Sequence, residues 1–224
     1  MKPKTLNYII AAVSLVLLSQ SGSSATLPPR CARLRYLVYV AATNPTLADI
    51  ANQVGGHRVY TRWLLKADQD ITSPKLYESM AHVVREAEVL VRLGTSYDPW
   101  IETLVDKARN KSLVNVDAST GTNAARADSP MHGSEYWLSP SNAKIIAANI
   151  RDGLTRFSPK DAPYFAANYE QFCRKVDDNL VNWRNRLAAH KGASIGSCCN
   201  NLDYLRDVFP FDQVGTLEPA HGSE

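Results

Sequence analysis

Three groups of metal-competent side chains stand just past apolar runs that read as strands. Asp68 and Asp70 follow the second run, His132 and Glu135 fall between the fourth run and the next helix, and Cys198 and Cys199 follow the fifth. Open parallel sheets bind ligands outside the carboxyl ends of their strands. Asp70, Glu135 and Cys199 come from three separate loops and are placed to converge at the mouth of a cleft. Two carboxylates and a thiolate are competent ligands for a divalent ion, and sulfur tilts the choice toward zinc or another softer metal. Each residue also has a plainer reading: Asp70 as a turn residue, Glu135 as a solvated loop charge, Cys199 as a small buried apolar group. An enzyme with Cys199 as nucleophile is the weakest alternative, because no histidine lies close in sequence and no oxyanion motif is evident, so no catalysis is expected.

The elements that must position these loops alternate between strand and helix. Leu34 to Ala42 is an apolar, Val- and Tyr-rich strand, and Pro45 starts a helix that ends at Gly55-Gly56. Arg58 to Leu65 is the second strand, Ser73-Pro74 caps the next helix, and Glu88 to Leu93 is the third strand. Pro99 to Ala108 is a short helix, Ser112 to Val116 the fourth strand, and Asp117 to Ser134 a loop. Ser139-Pro140 opens another helix, with Ala143, Ile146, Ala147, Ile150 and Leu154 inward. Ala193 to Ser197, Asn201 to Val208 and Val214 to Leu217 give strand, helix and strand. This order predicts an α/β fold with a mostly parallel sheet and helices on both faces.

Between the two alternating regions lies one long helix, Ser158 to Ala188, with Ser158 as cap and Pro159 at the first helical position. Phe165, Tyr169, Phe172, Val176, Leu180, Trp183 and Leu187 recur at steps of three or four and form a single stripe. Such a helix is on the order of 45 Å long, longer than a small domain is wide. It reads as a rigid rod linking an N-terminal lobe, residues 26–157, to a partial second α/β lobe, residues 191–224. Two strands and one helix are too little for a matching lobe, so the second lobe is either vestigial or the start of a longer one.

Composition narrows the classes further. The chain has 224 residues, 45% hydrophobic and 21% charged, which suffices for a sizeable core. A net charge of +3 without a basic, aromatic-interleaved run gives no sign of nucleic-acid binding. Residues 1–25 read as an export signal: Lys2 and Lys4, an apolar run from Tyr8 to Leu18, then Ser23 and Ala25 at the cleavage positions. No cysteine stands at that point, which argues against a lipid anchor. An uncleaved N-terminal anchor is the alternative. Export implies an oxidising compartment, where Cys31 with Cys173 is the first pairing to test and the adjacent Cys198 and Cys199 stay unpaired. Asn110-Lys111-Ser112 matches a glycosylation sequon.

Several segments resemble the periplasmic solute-binding proteins of zinc and manganese ABC importers, whose two lobes are joined by a single rigid helix. They are Ala41-Ala42-Thr43-Asn44-Pro45-Thr46-Leu47-Ala48-Asp49-Ile50 with Val54-Gly55-Gly56, then Ala67-Asp68, Pro99-Trp100-Ile101 and Val214-Gly215-Thr216-Leu217-Glu218-Pro219. The most specific is Tyr136-Trp137-Leu138-Ser139-Pro140-Ser141-Asn142-Ala143-Lys144. The resemblance implies capture of a divalent transition metal in the periplasm and delivery to an ABC permease in the inner membrane, by a monomer. It implies a four-ligand site in which three family histidines fall on Asp70, Glu135 and Cys199, while the fourth ligand, a carboxylate, lies beyond Glu224. All three replacements remain metal-competent. His132 or His221 is a candidate imidazole, and the histidine-rich acidic loop of many zinc members is missing. The alternative is a degenerate or truncated relative acting as a metal chaperone or interaction scaffold.

Overall fold

Four parallel strands in the order β2-β1-β3-β4 form the sheet that everything else packs against. The computed structural model describes residues 37–66, 69–94, 96–122, 136–197 and 212–216. The strands are β1 (Val38–Ala42), β2 (Val59–Trp63), β3 (Val89–Arg92) and β4 (Val114–Asp117). Their connections are α1 (Pro45–Gly55), α2 (Glu78–Glu86) and α3 (Ile101–Ala108), followed by α4 (Pro140–Phe157). β1 pairs with β2 through Val38 opposite Val59 and with β3 through Val40 opposite Val89. The strand order reverses between β1 and β3, which makes their carboxyl ends the switch point of the sheet.

Helices cover both faces, as the alternation predicts. Val38, Val40 and Ala42 of β1 join Val89, Val91 and Val116 in one core with Leu47 and Val54 of α1 and Ile146, Ile150 and Leu154 of α4. Ala41 and Leu90 point the other way and pack with Met80, Ala81 and Val84 of α2 and Ile101 and Leu104 of α3. The two-residue period of the strands sorts the side chains between these layers. α1 begins as its sequence dictates: Asn44 Oδ1 accepts the Leu47 amide at 2.9 Å, and Pro45 stands at the first turn.

Local signals and structure part in several places. Ser73-Pro74 does not start a helix; α2 begins at Glu78 after an extended stretch. Ile71 and Leu76 pack into the core from that stretch, and the Ile71 carbonyl accepts the Trp100 indole N–H at 2.7 Å, so tertiary contacts override the capping signal. β2 ends at Trp63, yet the Leu64 and Leu65 amides still donate to Ala42 and Thr43 carbonyls. Arg58 belongs to a 3-10 turn, Gly56–Arg58, rather than to the strand. The sequon asparagine is a fold element: Asn110 Nδ2 donates to the Ala87 carbonyl at 2.7 Å and its Oδ1 accepts the Ser112 amide, which delays β4 to Val114.

The long helix is present as α5 (Ala162–Leu187), entered through a 3-10 turn, Pro159–Asp161, rather than as one unbroken α-helix from Ser158. Ser158 donates its hydroxyl to Asp161 Oδ2 at 2.7 Å instead of accepting a helix amide. The stripe is buried unevenly. Phe165 is fully buried, Tyr169 and Phe172 are partly buried against the first core, and Trp183 remains 43% exposed. The start of α5 is fastened to α1 and the turn after it: Asn168 Nδ2 donates to the Val54 carbonyl at 3.0 Å and Tyr164 Oη meets His57 Nδ1 at 2.7 Å. Gly56 has φ +53°, and a Cβ there would run into the Tyr164 hydroxyl.

After α5 and a 3-10 turn, Ala188–His190, β5 (Ser194–Ser197) and β6 (Asp212–Thr216) form a separate parallel pair, the described part of the second α/β lobe. Among the described residues Cys173 carries a free, half-buried thiol; Cys31, its expected partner, lies outside them, and so does the pairing with it. The export signal over residues 1–25 and the helix expected over 201–208 also lie outside them. Among the described residues, no helix is long and apolar enough to cross a membrane.

Candidate metal site at the carboxyl ends of the strands

The floor of the switch point is a buried polar knot. Arg92 ends β3 in an otherwise apolar run, and an arginine that is 4% exposed needs a buried counter-charge. Asp98 supplies it, fully buried, with Oδ1 accepting Arg92 Nε at 3.3 Å and the Gly94 amide at 3.2 Å. Asp98 Oδ2 accepts the Thr43 hydroxyl and the Leu93 amide, each at 2.7 Å. A second guanidinium nitrogen of Arg92 pairs with Glu102 on α3. Burial pushes the Asp98 carboxyl above the ordinary carboxylate range, against the opposing pull of these hydrogen bonds and of Arg92. The knot thus ties the end of β1, the end of β3 and the start of α3 to one carboxyl group.

Aromatic side chains build the next layer. Tyr136 is fully buried and donates its hydroxyl to the Leu93 carbonyl at 2.8 Å, while Asn142 Nδ2 donates to the Tyr136 carbonyl at 2.9 Å. This explains the asparagine in the Tyr-Trp-Leu-Ser-Pro-Ser-Asn segment: it holds the entry into α4 against the end of β3. The rings of Tyr97 and Trp137 lie 5.4 and 5.7 Å from that of Tyr136. Burial, aided by the Asp117 charge, raises the Tyr97 hydroxyl above its usual value. Gly94 has φ +129°, and a Cβ there would crowd Ser119 at 2.5 Å, so glycine lets the β3 and β4 ends approach.

Asp70 lies on the loop after β2, exposed to solvent. Its Oδ1 accepts both the Thr72 amide and the Thr72 hydroxyl at 2.8 Å, the turn role that the residue type alone suggests. Those bonds hold its carboxyl below the ordinary range, so the group stays anionic and ligand-competent into mild acid. The next residue, Ile71, is pinned by Trp100, which gives the loop a firm base. Glu135 and Cys199 lie outside the described residues, as does His132. Among the described residues, no group of three or more His, Cys, Asp or Glu side chains is arranged to hold a metal. The knot at Asp98 was not among the sequence candidates. Its signal was Arg92 inside an apolar strand with an acid, Asp98, six residues on.

A parallel sheet with a rigid polar floor, a long helix leaving it and a second parallel pair beyond is the architecture of a helix-linked solute-binding protein. The chain belongs to the family described as zinc-uptake complex component A, periplasmic, whose pattern matches residues 40–224. A putative metal-binding protein of Treponema pallidum (strain Nichols) is 25% identical, over 96% of this chain and 74% of its own length. The manganese ABC transporter substrate-binding lipoprotein PsaA of Streptococcus pneumoniae serotype 4 is 27% identical, over 68% of this chain and 53% of its own. The chain thus spans about half the length of that lipoprotein. A zinc-bound ZnuA deletion mutant superposes with a TM-score of 0.70 at 19% identity, covering 83% of this chain and 73% of that one, a likeness of fold.

Proposed function

We propose that the protein captures a divalent transition metal outside the cytoplasm and delivers it to an ABC permease in the inner membrane. The observation that carries this reading is the family match over residues 40–224. Metal is the cargo, held by Asp70, Glu135 and Cys199 together with a further group. The treponemal relative is named as metal-binding, and the streptococcal one as a manganese transporter component. A thiolate in the set favours zinc over manganese, because sulfur is a softer donor than carboxylate oxygen. α5 serves as the rod between lobes, and residues 1–25 as an export signal cleaved near Ala25, giving a monomer in the periplasm.

Metal titration of the exported chain tests this, with zinc and manganese competed against a chromophoric chelator. One tight site is expected, with zinc bound more strongly. Cys199→Ser weakens zinc by at least about tenfold and manganese much less, since a hydroxyl replaces a thiolate. Absence of binding, or binding indifferent to Asp70, Glu135 and Cys199, overturns the assignment.

A further inference from the structure

β2 is an edge strand, bonded to β1 on one side, and among the described residues no strand pairs with its other edge. Beside it runs a groove of about 420 Å³ lined by Arg62, Trp63, Lys66 and Gln69 from β2 and its loop, and by Tyr77 and Met80 at the start of α2. A smaller depression is lined by Tyr60, Arg62 and Glu86. Tyr60, Trp63 and Tyr77 are exposed by 47, 53 and 47%, a concentration of aromatic surface on one edge.

The acidic residues of α2 on this surface are already paired. On α2, Glu86 faces His82 at 3.5 Å and Glu78 faces Arg85 at 3.9 Å. Arg62 and Lys66 are both exposed, and among the described residues neither side chain has an acidic partner. Lys75 adds a third cation, 5.5 Å from the centre of the Tyr77 ring. An open strand edge, flanked by aromatic rings and by cations that have no acidic partner among the described residues, forms a template for an extended segment carrying carboxylates.

We propose that the β2–α2 groove docks an extended, acidic peptide segment of a partner protein, which adds to the open edge of β2. Backbone pairing along β2 supplies the hold, Trp63 and Tyr77 cover the added strand, and Arg62 and Lys66 select carboxylates. A second copy of this chain is disfavoured as occupant, because its own β2, Val59–Trp63, brings another Arg62 and no carboxylate to the edge. The groove opens beside Gln69, next to Asp70 but without using it, so docking is independent of metal capture.

The test is a titration of the full chain with an N-acetylated, C-amidated heptapeptide alternating glutamate with valine, followed by backbone amide shifts. Saturable binding with shifts centred on residues 60–66 and 77–83 is expected, and the lysine–valine counterpart should not bind. Arg62→Glu combined with Lys66→Glu should weaken the glutamate peptide roughly tenfold, the loss of two exposed ion pairs, and leave zinc affinity unchanged. Absence of binding, equal binding of the lysine peptide, or indifference to the double reversal overturns the proposal. So does concentration-dependent dimerisation through β2, or attachment to phosphatidylglycerol vesicles in place of the peptide. Failure of zinc binding in the same samples bears on the metal reading alone.

Discussion

Replacing Asp98 by asparagine keeps the shape of the buried knot and changes its chemistry. Four donors converge on the carboxyl group: the Thr43 hydroxyl, the Leu93 and Gly94 amides and Arg92 Nε. An amide keeps one oxygen and presents N–H groups to the other pair of donors. Two buried donors therefore lose their acceptor, at about 1–3 kcal/mol each, and Arg92 keeps the carbonyl of residue 98 and Glu102, which is 54% exposed, but no buried counter-charge. Together these cost about 3 kcal/mol, a large share of the roughly 5–15 kcal/mol that stabilises a typical domain. The melting midpoint should fall by about 6–12 °C for a chain of this size. Urea unfolding followed by circular dichroism measures the loss. Adding Arg92→Met should restore part of it, because the stranded guanidinium is then gone. Burial raises the Asp98 carboxyl. Its contribution is therefore full below the unfolded pKa and declines as pH rises through the folded one. The asparagine variant lacks that titration, so the gap between the two proteins should be widest in acid. A loss under about 1 kcal/mol, or a gap that widens toward neutral pH, would refute the account of the knot.

Asp70→Asn preserves the oxygen that Thr72 bonds and removes the charge, so the melting midpoint should hold while zinc affinity falls at least about tenfold in calorimetry. A joint loss of stability and affinity would assign Asp70 to the turn alone. Gly56→Ala, at φ +53° and against Tyr164, should cost about 1–3 kcal/mol in urea unfolding. Phe165→Ala, at a fully buried position, should cost about 3–5 kcal/mol by the same measurement.

The sheet was legible because its strands are short apolar runs and its helices carry one apolar face each. Leu47, Ile50, Ala51 and Val54 are inward on α1, as their spacing requires. Where reading failed, a contact distant in sequence decided the outcome. Ser73-Pro74 has the local form of a helix start, but Trp100 and the two cores hold Ile71 and Leu76 extended. The pull of Asn110 on the Ala87 carbonyl is equally invisible to a motif that reads it as a sugar acceptor. Of the three candidate ligands only Asp70 falls among the described residues, where it serves a turn after β2. Polar residues past strand ends pointed to the sheet's mouth, whereas the residues that brace it, Thr43, Arg92 and Asp98, become a group only when β1 and β3 lie side by side.

The uneven burial of α5 makes it a lever with its fulcrum in the first core. Its root is clamped by Phe165, by Asn168 on α1, by Tyr169 under the Arg151 guanidinium and, about two turns further, by Asp177 against Lys144. From there to Leu187 the helix runs on for about 15 Å, with half-buried and exposed side chains, and β5 follows its tip. A tilt of about 5° at the clamp displaces that tip by about 1.3 Å over such a span. Small adjustments where α5 meets α1 and α4 are thereby magnified before the chain reaches β5. Amide exchange should accordingly be slow at the root and quicken along the arm.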